Sequence, residues 1–128
     1  MKTQYGNFIK IVPAHQVSAI DGGTITLESG YSFDELDTLN NLQPSEEAKT
    51  SEAGVLYTFS MQAGVEKFSD TLKHKYGSDC PVILTIFKSH DEEALVVGSL
   101  QNPVRMTWTP HPEYDHLDFS RSSISAVL

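Results

Sequence analysis

The stretch "TPHPEYDHLD", residues 109 to 118, holds His111, Glu113, Asp115, His116 and Asp118 between two apolar runs. Imidazoles and carboxylates this close together are the side chains that ligate zinc or exchange protons. Whether they can converge depends on the backbone between them. Pro110 and Pro112 bias Thr109 and His111 toward extended geometry. On an extended chain, residues an odd number apart lie on opposite faces. His111 and His116 are therefore expected to face apart unless the loop folds back. Zinc needs three or four ligands at one point, and calcium needs six to eight oxygens. These demands favour the polar tip of a hairpin. A metal or acid–base site built from His111, Glu113, Asp115 and His116 stands as the alternative.

The remaining reactive side chains are dispersed. Cys80 is the single cysteine, so no internal disulfide is available. It precedes an apolar run without a flanking Lys or Arg to lower its pKa, which points to a buried thiol. His15, His74 and His90 are scattered, with His74 expected to face solvent. Asp34, Glu35 and Asp37 cluster in "FDELD". Such carboxylates do acid–base work when burial raises one pKa, but a solvated acidic face is the expected arrangement. Gly-x-Ser-x-Gly, His-Glu-x-x-His, Walker and dinucleotide glycine patterns are absent from the sequence. No catalytic, cofactor-binding or metal-ligating residue is assigned, and the chain is expected not to be an enzyme.

The elements that must position these residues are mostly strands. "FIKIV", residues 8 to 12, reads as an edge strand ended by Pro13. "VSAI" and "TITLE" flank the turn residues "DGG" and read as a hairpin. Residues 40 to 53 are polar, contain Pro44 and show no periodicity, which predicts a long mobile loop. "VLYTFSMQAG", residues 55 to 64, alternates with period two, a half-buried strand. Val65, Phe68, Leu72 and Tyr76 then fall on one stripe of a helix over about 65 to 76, stopped by Gly77. "CPVILTIF", residues 80 to 87, is continuously apolar and reads as a central strand. "KSHDEE" follows as a charged turn, then strands at 94 to 99 and 104 to 108. "LDFSRSS" closes the series, with Leu117 and Phe119 on one face. Strands at short spacing around one helix predict a mainly β, α+β fold: an antiparallel sandwich or barrel with one flanking helix.

The bulk numbers bound the function classes. The 128 residues suit a single domain spanning the chain. The net charge of -8, from 9 basic and 17 acidic residues, argues against nucleic acid and anionic membrane as partners. The amino-terminal segment lacks the apolar h-region of a secretory signal, and no window approaches the apolar length of a membrane helix. The expected location is the cytoplasm.

From Gly54 to about residue 123 the chain resembles small virion-structure proteins of Bacteroides-type prophages. The resemblance rests on "AGVLYTFSM", a following helix, "VILTIF", "VVGSLQNPVRMTWTP" and "LDFSRSS". Its most specific piece is Gly98 to Met106. The resemblance implies a non-enzymatic structural or assembly role in a tailed-phage particle: tail tube, tail completion or head–tail connection. It implies protein–protein contacts, with self-association into a ring or binding to other virion proteins, and residues 40 to 53 packing on a neighbour. The implied location is the cytoplasm of a bacterial host or the virion. No catalytic residues or cofactors are implied.

Overall fold

The computed structural model describes residues 5–21, 24–39, 42–88 and 94–124. The strands are β1 (Tyr5–Pro13), β2 (Val17–Asp21), β3 (Thr24–Leu27), β4 (Asp34–Asp37), β5 (Ser45–Ser51) and β6 (Gly54–Val65). After helix α1 (Asp70–Tyr76) come β7 (Asp79–Lys88), β8 (Ala94–Val97), β9 (Val104–Pro110) and β10 (Asp115–Ser123). The fold is mainly β, as expected. One eight-stranded antiparallel sheet runs β4-β1-β7-β9-β10-β6-β5, with β8 beside β7, and β2–β3 form a separate two-stranded sheet. The described strands do not close into a barrel. The sheet nonetheless curls until Thr38, just past β4, bridges Val65 at the end of β6. There the Leu39 N–H donates to the Gly64 carbonyl at 2.8 Å.

Side-chain parity explains which face is buried. On β6, Phe59, Met61, Ala63 and Val65 point into the core, while Thr58, Ser60 and Gln62 point out. Antiparallel register places Phe119 opposite Met61 and Leu117 opposite Ala63, so β10 adds its apolar residues to the same face. Full burial of Phe59 or Phe119 contributes about 1.5–3 kcal/mol each. Strand β7 is buried on both sides. Val82, Leu84 and Ile86 join the main core, and Ile83 joins Val12 and Val17 beneath the β2–β3 hairpin. A strand covered on two faces reads as a continuous apolar run.

Three expectations are corrected. The helix begins at Asp70 and not near 65. Val65 is buried as the last residue of β6, and Ser69 is the N-cap, accepting the Leu72 N–H at 3.3 Å. Gly77 ends the helix as expected, with φ of 65°. Residues 45–51, expected in a loop, form strand β5, paired without a break from Ser45↔Ser60 to Ser51↔Gly54. Its side chains are exposed on both faces but for half-buried Glu46, so no hydrophobic period marks it. Finally, β1 is not an edge: it lies between β4 and β7. The expected charged turn at 89–93 lies outside the described residues. Among the described residues, no helix is long and apolar enough to cross a membrane.

Candidate functional site

The acidic and histidine residues of the opening stretch form the tip of the β9–β10 hairpin. The register pairs Pro110 with Asp115, and the His111 N–H donates to the Tyr114 carbonyl at 2.9 Å. That bond turns the chain back on itself. The fold-back that was the stated exception is the arrangement found: the His111 and His116 rings meet edge-on, 6.0 Å between centroids. His111 also stacks on Tyr114 at 4.6 Å.

Of the carboxylates, Asp118 alone meets His116, and Asp115 is turned away from both histidines. Asp115 and His116 are neighbours on a strand and take opposite faces. Asp115 points inward with 0% exposure. It accepts the Phe68 N–H at 2.7 Å and a bond from Lys67 Nζ at 3.0 Å. Burial pushes its pKa up, but these donors outweigh burial, and the carboxyl is held below its ordinary value. The Trp108 indole N–H favours the charged form as well, without closing a hydrogen bond of ordinary geometry. Lys67 reaches on to the His111 carbonyl at 2.5 Å. Asp115 thus clamps the segment that enters α1 to the hairpin tip. Glu113 is exposed, and His116 Nε2 lies 3.4 Å from Asp118 Oδ1 on the outer face. Among the described residues, no three His, Cys, Asp or Glu side chains are placed to share one metal ion.

Beside the tip, the outer face of β10 and β6 forms an open groove of about 1020 Å³. Leu39 and Tyr114 close one end, and Ser60, Gln62, His116 and Asp118 line its floor. The floor is polar because it is the face of these strands turned away from the core. Ser45 Oγ and Ser60 Oγ are 2.9 Å apart across β5 and β6 at its other side.

The other reactive candidates are structural in geometry. Asp34 departs from the expected solvated face. It is half-buried, bonded by Lys75 Nζ at 2.7 Å and by the Tyr76 hydroxyl. Burial, then the hydrogen bond and charge of Asp34, push the Tyr76 hydroxyl far above its ordinary pKa. Glu35 meets Lys10 at 3.5 Å, and Asp37 is exposed. Cys80 is buried, and burial, then the charge of Asp79, push its thiol pKa up. Asp79 is lowered by its hydrogen bond from Arg105, which outweighs the opposing burial contribution. Arg105 Nε lies 3.0 Å from both oxygens. His15 and His74 are exposed, and His90 lies outside the described residues.

Two features of the structure were not read from the sequence. Asp115 falls on the same parity as Leu117 and Phe119, so its inward direction was available as a signal. Strand β5 carried no such signal. It terminates the sheet, and no described strand pairs with its far edge. The segment from Gly98 to Met106 contains the turn that joins β8 to β9 and the first three residues of β9. Ser99 and Asn102 exchange backbone bonds at 3.1 and 3.2 Å, Asn102 Nδ2 donates to the Ser122 carbonyl at 2.7 Å, and Arg121 Nε donates to the Asn102 carbonyl at 2.8 Å. This turn is thereby fastened to β10. No family model, no curated protein and no solved structure matches the chain.

Proposed function

We propose that the chain is a non-enzymatic structural or assembly component of a tailed-phage particle, acting by protein–protein contacts in the tail tube, in tail completion or in head–tail connection. The observation that carries this reading is the free edge of β5. It is seven residues long, unbroken by a bulge, and exposed on both faces save for Glu46. A strand of this kind is the element that another chain extends by strand addition. The neighbouring start of β6 exposes Leu56 on the outer face and Val55 on the other, so apolar surface lies beside the edge on both sides. The resemblance through "GSLQNPVRM" supports the particle assignment. Partners are copies of the chain or other virion proteins, met in the host cytoplasm during assembly or in the virion.

The test is recovery of the chain from particles. Particles released by the strain that carries the gene are banded on a density gradient, washed in high salt and analysed by mass spectrometry. The chain is expected in the particle band at a fixed ratio to the other tail or connector proteins. Its absence from particles whose tail and connector proteins are all detected overturns the reading.

A second reading, a small metal- or ligand-binding domain or enzyme using the 111–116 loop, is favoured by one observation. The groove ends on Tyr114 and His116.

A further inference from the structure

We propose that β5 pairs antiparallel with β5 of a second copy of the chain, about a two-fold axis midway between the two Ala48 residues, joining two sheets into one. The strand sequence "SEEAKTS" is complementary to itself in that register. Centring on Ala48 sets Glu47 opposite Lys49 of the other copy, and Lys49 opposite its Glu47. Both residues lie on the outer face, because β6 pairs them with Thr58 and Leu56. Both are exposed, and among the described residues neither has an ion-pair partner in its own chain. Directly opposed unlike charges favour antiparallel pairing, and like charges oppose it.

The other face fits the same axis. Ala48 pairs with half-buried Tyr57 on β6, so the inner row across the joined sheet reads Tyr57, Ala48, Ala48, Tyr57. Two small side chains at the axis avoid a clash and leave each tyrosine ring a flat neighbour. Lys49 commonly protects an edge from casual pairing. Opposite a glutamate it becomes a selector for this one register.

The remaining free edges fit less well. Strand β4 carries Asp34, Glu35 and Asp37 and no lysine or arginine to meet Glu47. Strand β8 is four apolar residues, "ALVV", with nothing to meet Lys49. A two-fold contact is self-complementary and closes at the dimer. A single strand pair buries little area, so the association belongs to the weak class of interfaces.

The experiment is sedimentation velocity on the full chain across a concentration series at low salt, with four proteins. Wild type is expected to show a reversible monomer–dimer equilibrium. Glu47→Lys places lysine against lysine, Lys49→Glu places glutamate against glutamate, and each is expected to dimerise about tenfold more weakly or worse. The double variant E47K/K49E restores unlike pairs and dimerisation. Mixing the two single variants is expected to produce a heterodimer, because every opposed pair is then unlike. Both positions are exposed, and circular dichroism of each variant checks that the fold is unchanged.

A wild type that stays monomeric, or that grows past the dimer into rings, overturns the pairing. So does a mixture of single variants that behaves as the separate components do. These outcomes are independent of particle recovery. A chain found on particles but monomeric here loses the strand pairing and keeps the virion reading, and a dimer absent from particles does the reverse.

Discussion

Asp115→Asn tests the clamp at the base of the hairpin tip. The carboxylate is fully buried and receives two donors, the Phe68 N–H at 2.7 Å and Lys67 Nζ at 3.0 Å. Charge-assisted bonds of this kind contribute about 1.5–3 kcal/mol, against about 1 for neutral ones. Asparagine keeps one oxygen for the Phe68 N–H, so that bond weakens by about 1 kcal/mol. Its amide nitrogen then faces the Lys67 ammonium, donor against donor. Lys67 is 41% exposed and can turn to solvent, which limits that loss to about 1 kcal/mol. The expected cost is about 2 kcal/mol, a fall in Tm of about 6–8 °C for a chain of this size. Asp115→Ala leaves the Phe68 N–H buried without an acceptor and is expected to cost about 3–4 kcal/mol. Lys67→Met removes only a partly exposed ion and is expected to cost about 1 kcal/mol or less.

Urea denaturation followed by circular dichroism, with Trp108 fluorescence as a second probe, measures the series. The pH dependence checks the charge itself. The folded pKa of Asp115 is depressed, so its contribution is complete above the unfolded value of about 4 and is lost as pH falls through the lower folded value. Wild type should therefore lose stability faster than Asp115→Asn on acidification below about pH 4. Asp115→Asn as stable as wild type at pH 7, or Lys67→Met more damaging than Asp115→Asn, would refute the clamp.

Gly98→Ala should destabilise by about 1–3 kcal/mol, because Gly98 has φ of 108° and a Cβ there would lie 3.3 Å from Val104 N and Ile83 Cδ1; an unchanged urea midpoint would sink this. The Cys80 thiol, buried and raised in pKa, should react with a disulfide reagent at pH 8 at a rate set by unfolding, and folded-state kinetics as fast as in urea would contradict its burial. Zinc, manganese and calcium should each leave the melting temperature where a chelator leaves it, since Asp115 and His116 point to opposite faces. A reproducible rise with any one of them would restore the metal reading of the 111–116 loop.

The strands that face a core on one side were legible because burial imposes a period of two, as in residues 55 to 64. Strand β7 was legible for the opposite reason, being apolar at every position between two covered faces. The helix was found, but its start was displaced. Val65 satisfies the helical stripe with Phe68, Leu72 and Tyr76, and it satisfies the strand parity of Phe59, Met61 and Ala63 equally well. Periodicity alone cannot say where period two gives way to 3.6. The pair Ser69–Asp70, an N-cap followed by an acidic first turn, marked the boundary. Strand β5 was unreadable in principle: an edge strand exposed on both faces has no pattern of burial to leave in its sequence.

The same physics divides the histidine and acidic cluster. Sequence proximity brings five histidine and carboxylate side chains within eight positions, but a strand sends consecutive ones to opposite sides of a sheet. Asp115 takes the inner side and is held by the backbone of Phe68, while His116 and Asp118 take the outer side and face the groove. The turn at 111–114 brings His111 back to His116, where Asp118 is the one carboxylate beside them, while Asp115 lies on the other side of the sheet. Among the described strands, β5 presents a long far edge to solvent, to which no described strand bonds. An edge with Glu47 and Lys49 flanking the small residue Ala48 offers a second copy both hydrogen bonds and a register, and that is the contact the proposed pairing uses.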